Sequence, residues 1–260
     1  MVISDNSICS KNERWVGVMQ LFTMMTWLIL SLTTGCAVSQ GFNQAAMSDV
    51  LHVDPTSDQD TRTPSHEGSI PSPPFRLGVF FANHDFPNHQ SLRKVEWLSA
   101  DREQLLHGLA PLRDQQILAD IFVLMDSTVQ AANSDAIRQA GARYGADAVL
   151  IVDGAGAIDR YNNRYAWLYP TLVGTYLAPG TESDALVMAT GSLWAVRSEW
   201  HAPIQIVEGV SKAVGSAVFV DDSAALQSAK KQAIQALSTR IVDQLQLWMQ
   251  ESPPPRSRLQ

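Results

Sequence analysis

Cysteine is almost missing from this chain: Cys9 and Cys36 are the only two in 260 residues. The sequence also has no cluster of Lys and Arg, and its formal net charge is -7. Non-specific binding to DNA or RNA needs clustered cations to neutralise phosphates, so nucleic acid is excluded as a general partner. The acidic balance gives no electrostatic pull toward anionic head groups either. A G-x-S-x-G nucleophile elbow is absent, since "VGSAV" has Gly215 and Ser216 but no second Gly two residues on. There is no P-loop. "VDGAGAID" carries Gly154 and Gly156, but Asp159 stands where a dinucleotide fingerprint would need its third Gly. That segment reads as a flexible strand exit. These absences lead to the expectation of a non-enzymatic protein without a cofactor.

Charge is also missing from Trp15 to Leu32, "WVGVMQLFTMMTWLILSL", and Lys11 and Arg14 precede it. A basic start followed by an apolar run reads as a signal peptide. The run ends in "LTTGC", where Gly35 precedes Cys36. This resembles the lipobox of bacterial lipoproteins, with Thr33 where Leu is usual. The resemblance implies cleavage between Gly35 and Cys36, and a diacylglycerol-modified, acylated Cys36 as the membrane anchor. The alternative is an uncleaved anchor over 15–32. Cleavage would discard Cys9 and leave no pair for an intramolecular disulfide, so the exported part would depend on its core. Ala37 stands where Asp would resemble an inner-membrane retention signal. The expected location is the outer membrane, facing the periplasm.

After residues 1–35 as leader, residues 36–74 read as a lipidated, flexible tether, being polar and rich in Pro, Ser, Thr and Asp. Within it Met47, Val50, Leu51 and Val53 form an apolar patch able to dock on the body. One α/β domain is expected over 75–250, and a frayed tail over 251–260. "FRLGVFFA" (75–82), "DIFVLM" (120–125) and "ADAVLIV" (146–152) are apolar runs of strand type. Helices are predicted over 99–112, capped by Ser99 and Glu103, and over 133–145, with Asn133 or Ser134 as cap and Gly145 as stop. The alternation implies a parallel βαβαβ core. "YAWLYPTLVGTYLA" (165–178) and "ALVMATGSLWAVRS" (185–198) flank Pro179–Gly180 and read as an antiparallel hairpin added to the sheet. Residues 203–220 read as helical or mixed. A long helix is predicted over 223–250, with Leu226, Ala229, Ala233, Leu237, Ile241, Leu245 and Trp248 on one side. The fold class is therefore α/β with an α+β tendency and a mixed sheet.

Two groups of residues are candidates for function. Tyr161, Tyr165, Trp167 and Tyr169 share one parity and would line one face of a strand, with Trp194 on the next. They read either as sheet core under the long helix or as a docking face. Helices of a two-layer domain cover one face, so the other would need a protein partner, a homodimer mate or the docked tether. The second group is His84, Asp85 and His89 in "NHDFPNH", beyond the carboxyl end of the first strand, where α/β proteins bind ligands. A solvated turn is the competing reading, because a loop lacks the fixed spacing of helical ligands.

"WLYPTLVGTYLAPGTESDALVMATGSLW", "AVRSEW" and "VFVDDSAALQSAKKQAIQALSTRIVDQL" resemble the rhombotarget lipoprotein family. More coarsely, "GADAVLIVDG" and "LWAVRS" are similar to strand patterns of the TolB amino-terminal domain and of curli-secretion lipoproteins. The resemblance implies a lipoprotein with an α/β domain and brings no catalytic motif. The expected function is a lipid-anchored adaptor or assembly factor contacting a protein partner or a second copy through Tyr165, Trp167, Tyr169 and Trp194. The alternative is a small-ligand or metal-binding lipoprotein using loops 83–90 and 153–160.

Overall fold

A computed structural model of the chain describes residues 23–24, 38–52, 70–87, 89, 91–125, 127, 129 and 133–251. Gly35, Cys36 and most of the leader lie outside these, as do Val53 and the tail 252–260. Among the described residues no helix is long and apolar enough to cross a membrane.

The described residues divide into two compact units. The larger draws on Gln40–Arg160, Ser183–Ala213 and Asp221–Gln260. The smaller draws on Tyr161–Glu182 and Val214–Val220, with described residues among the first 39. In chain order the elements are α1 (Gln44–His52), β1 (Phe75–Phe81), β2 (Leu92–Lys94), α2 (Ser99–Gly108), α3 (Ala110–Asp114), β3 (Leu118–Val123), α4 (Ser134–Arg143) and β4 (Ala148–Asn162). A 3-10 helix (Arg164–Leu168), α5 (Leu172–Leu177), β5 (Thr181–Ala195), β6 (His201–Gly215) and α6 (Asp222–Glu251) follow.

The six-stranded sheet is mixed, in the order β3-β1-β4-β5-β6, with β2 paired to β4. β1 runs parallel to β3, and to β4 from Leu77↔Ala148 to Phe81↔Val152. These are the predicted βαβαβ strands, and crossover helices make the parallel pairing reachable. β2 joins β4 antiparallel, with Arg93 opposite Gly156. The Val196 amide donates to the Asp147 carbonyl before β4, and the Asn163 amide to the Gly180 carbonyl before β5. Each end of β4 thus meets the opposite end of β5, which makes that pair antiparallel.

β4 shows why the sheet is buried on both sides. Side chains alternate across a strand. Ala148, Leu150 and Val152 face the main core, with Leu105 of α2, Leu112 of α3 and Leu237 and Ile241 of α6. Val149 faces the other way, with Ile137 of α4. Farther along that second face, Ala155 and Ala157 meet Met47 of α1, together with Leu186 and Met188 of β5. Met47 is wholly buried, a placement worth about 1.5–3 kcal/mol. Helices therefore cover both faces. Part of the stretch read as a free tether supplies one of those covers, as its apolar patch allowed.

The arm before α1 is pinned as well. Asp159 of β4, itself buried, accepts hydrogen bonds from the Gly41 amide at 2.8 Å and the Gln40 amide at 3.4 Å. On the first face Lys230 of α6, a charged residue, is buried. Its ammonium pairs with buried Asp101 and donates to the Glu96 carbonyl at 2.7 Å. Asp101 also accepts the Leu98 amide at 2.8 Å, so this carboxylate, and not Ser99 or Glu103, secures the start of α2.

Candidate functional site

The small unit is built around side-chain hydrogen bonds. Asn163 caps the 3-10 helix by accepting the Tyr165 amide at 2.9 Å. Its amide nitrogen donates to the Pro179 carbonyl and the Glu182 carboxylate, both at 2.9 Å. Thr171 caps α5 by accepting the Gly174 amide at 2.9 Å, and its hydroxyl donates to the Leu168 carbonyl at 2.6 Å. Thr175 donates to the Tyr169 carbonyl at 2.9 Å. The Tyr169 hydroxyl pairs with that of Thr181, 2.7 Å away.

These contacts correct the predicted hairpin over 165–178 and 185–198. Residues 164–168 and 172–177 are helical, and β5 pairs along β4. Tyr165, Trp167 and Tyr169 therefore do not line a strand. Tyr169 turns inward onto Thr181, whereas Tyr165 is exposed and Trp167 is 74% exposed. Trp194 sits on β5 in the larger unit, stacked on His201 with centroids 4.5 Å apart, its indole N–H donating to Ser192 at 2.9 Å.

Among the described side chains of the small unit, the buried ones are small or polar: Ala178, Thr181, Ser216 and two glycines. Several of its large apolar side chains point outward. Leu177 is 76% exposed and Phe219 69%, and Val173, Tyr176 and Val218 are exposed beside them. Tyr176 and Phe219 meet ring to ring at 6.2 Å, joining the two segments of this unit into one surface. Contiguous exposed apolar patches are uncommon on monomeric soluble proteins and mark candidate interaction sites. Val173, Leu177 and Phe219 gave no distinguishing signal in the sequence, because a short apolar run reads equally as core.

The second candidate group is not assembled. His84 lies just beyond β1, and its Nδ1 pairs with the Asp153 carboxylate at 2.7 Å. That hydrogen bond holds the His84 imidazole above the ordinary histidine range, against the opposing pull of burial. Asp85 instead pairs with Lys94 at 3.2 Å. His89 closes a turn, its amide donating to the Phe86 carbonyl at 3.0 Å. Among the described residues no group of three or more His, Cys, Asp or Glu could hold a metal ion. The expected loop 153–160 does not exist, since β4 continues through it to Asn162.

Fold and surface together define a mixed-sheet α/β protein with an outward-facing aromatic surface on a separate small unit. No family model matches the chain, so the resemblance to rhombotarget lipoproteins rests on the quoted residues alone. No curated protein matches it. Among solved structures it is similar to protein XCC0632 of Xanthomonas campestris, described under the family model DUF330, at 14% identity over 71% of this chain and 93% of that one, with a TM-score of 0.33. It is similar to the PelC dodecamer of Paraburkholderia phytofirmans at 13% identity over 71% and 95%, with a TM-score of 0.30. The hypothetical protein CT253 of Chlamydia trachomatis is similar at 8% identity over 68% and 99%, with a TM-score of 0.31. These likenesses are remote and carry no function across.

Proposed function

We propose that this chain is a non-catalytic, lipid-anchored docking protein of the outer membrane, an adaptor or assembly factor facing the periplasm. The carrying observation is the inverted small unit, whose polar groups bond to each other while Trp167, Leu177 and Phe219 face outward. Leaving such side chains in water forfeits about 25 cal/mol for each Å² of apolar surface that a counter-surface would cover. The "LTTGC" motif supports an anchored chain, and Cys36 is its acylation site in this reading.

Photo-activatable side chains at Trp167 and Phe219 test the docking reading in intact cells. Both are expected to form covalent adducts with another molecule, while the same probe at exposed Lys231 in the larger unit forms few. Equal labelling at all three positions would sink the reading.

A further inference from the structure

We propose that the outward surface of the small unit seats in the interfacial layer of a lipid bilayer. This rests on the docking reading and names the counter-surface. The surface consists of Trp167, Val173, Tyr176, Leu177, Val218 and Phe219, all exposed.

Charge is the first reason. In residues 161–182 and 214–220 the charged side chains are Arg164 and Glu182 alone. Glu182 accepts the Asn163 amide, and the Arg164 guanidinium lies over the Tyr165 ring, 4.9 Å from its centroid, and donates to the Tyr165 hydroxyl at 2.9 Å. A long apolar stem with its charged head beside an aromatic hydroxyl suits the water–lipid boundary.

Hydrogen bonding is the second reason. A protein interface typically carries about one hydrogen bond per 100–200 Å². Here the side chains of Asn163, Tyr169, Thr171, Thr175 and Thr181 all find hydrogen-bond partners within the small unit itself. The outward set holds four aliphatic or phenyl side chains and two amphipathic rings. Hydrocarbon asks for no hydrogen bonds, and Trp and Tyr are the residues enriched at its edge.

Chain length is the third. Cys36 is five residues before Gly41, whose amide is held by Asp159, and Asp159 is two residues before Tyr161, where the chain re-enters the small unit. Five extended residues span at most about 18 Å. An acyl anchor on Cys36 is thus confined within that reach of Asp159 on β4. An acyl anchor joined by a second apolar contact holds far better than one alone.

The test uses the full chain, with Cys9 replaced by Ser, in vesicles of neutral phosphatidylcholine. An environment-sensitive fluorophore is placed in turn on L177C, F219C and K231C. Labels at 177 and 219 are expected to be several-fold less open to aqueous iodide than the label at 231, and to be quenched by brominated lipid chains. Iodide access equal to that at 231 would overturn the proposal. Protection from iodide without quenching by brominated lipid would also overturn it and assign the surface to a second copy, leaving the docking reading intact. The cell-based adducts at Trp167 and Phe219 decide that reading separately.

Discussion

At the scale of single residues, the His84–Asp153 pair is an interaction that responds to pH. The folded-state pKa of His84 is raised, first by the Asp153 hydrogen bond and then by the Asp153 and Asp85 charges, while Lys94 and burial oppose. A group with a raised folded pKa stabilises the fold fully below its unfolded value of about 6.5, and that contribution fades as pH rises through the folded value. Asp153→Asn is therefore expected to lower the urea midpoint more at pH 5.5 than at pH 8.5, and to move the His84 titration downward by NMR. An equal loss at both pH values would show that Asp153 acts through packing alone. Asp221 behaves oppositely. Its carboxylate accepts from the Ser223 hydroxyl at 2.7 Å and from the Ser223 and Ala224 amides, ahead of α6. These bonds, the Ser223 hydroxyl first, hold its pKa below the ordinary carboxylate range. Its contribution is present above the unfolded pKa and is lost as pH falls through the folded one.

At the scale of elements, β6 and α6 approach each other closely at Gly209. A Cβ added at Gly209 would stand 2.0 Å from the Ala229 carbonyl oxygen and 2.5 Å from the Ala233 amide nitrogen. Helix backbone cannot swing aside like a side chain. Gly209→Ala is expected to cost at least about 1–3 kcal/mol, the usual range for overpacking, read from the shift of the urea midpoint. Elements whose local signals agree with their packing were legible from sequence. For α4, Asn133 accepts the Ala136 amide at 2.7 Å and Gly145 takes φ +71° beyond the helix. The stripe of α6 from Ala229 to Leu245 is buried as its spacing required. The misread elements have specific causes. Tyr165, Trp167 and Tyr169 alternate like a strand, but Asn163 and Thr171 cap helical turns there. In β6 the buried positions change parity between Ile204 and Val207, which breaks the strand signature. In β4, Gly154 and Gly156 look like a chain exit, yet their bare backbone lets Trp97 and Leu226 pack close.

At the scale of the whole molecule, the prediction concerns attachment. Cys36→Ser is expected to release the chain from the membrane fraction while its melting temperature is unchanged, because Cys36 precedes the first packed helix. Retention in the membrane with the leader still attached would point to residues 15–32 as the anchor. Under the proposed anchoring at Cys36, the docked arm also decides which part of the tether would set distance. Residues 53–69 join α1 to β1, two elements of the larger unit, so residues 37–40 rather than these would set how far that unit stands from the lipid. The two units differ, finally, in what holds them closed. The larger has an apolar interior on both faces of its sheet, and the smaller is held by hydrogen bonds from Asn163, Thr171 and Thr175 to its own backbone, with few large apolar side chains buried among its described residues. Units with little buried apolar contact open at lower free energy. Amide protons over 164–177 would therefore exchange with deuterium in a fraction of the time needed by β1 or β4, and a counter-surface that covers the small unit would announce itself by slowing that clock.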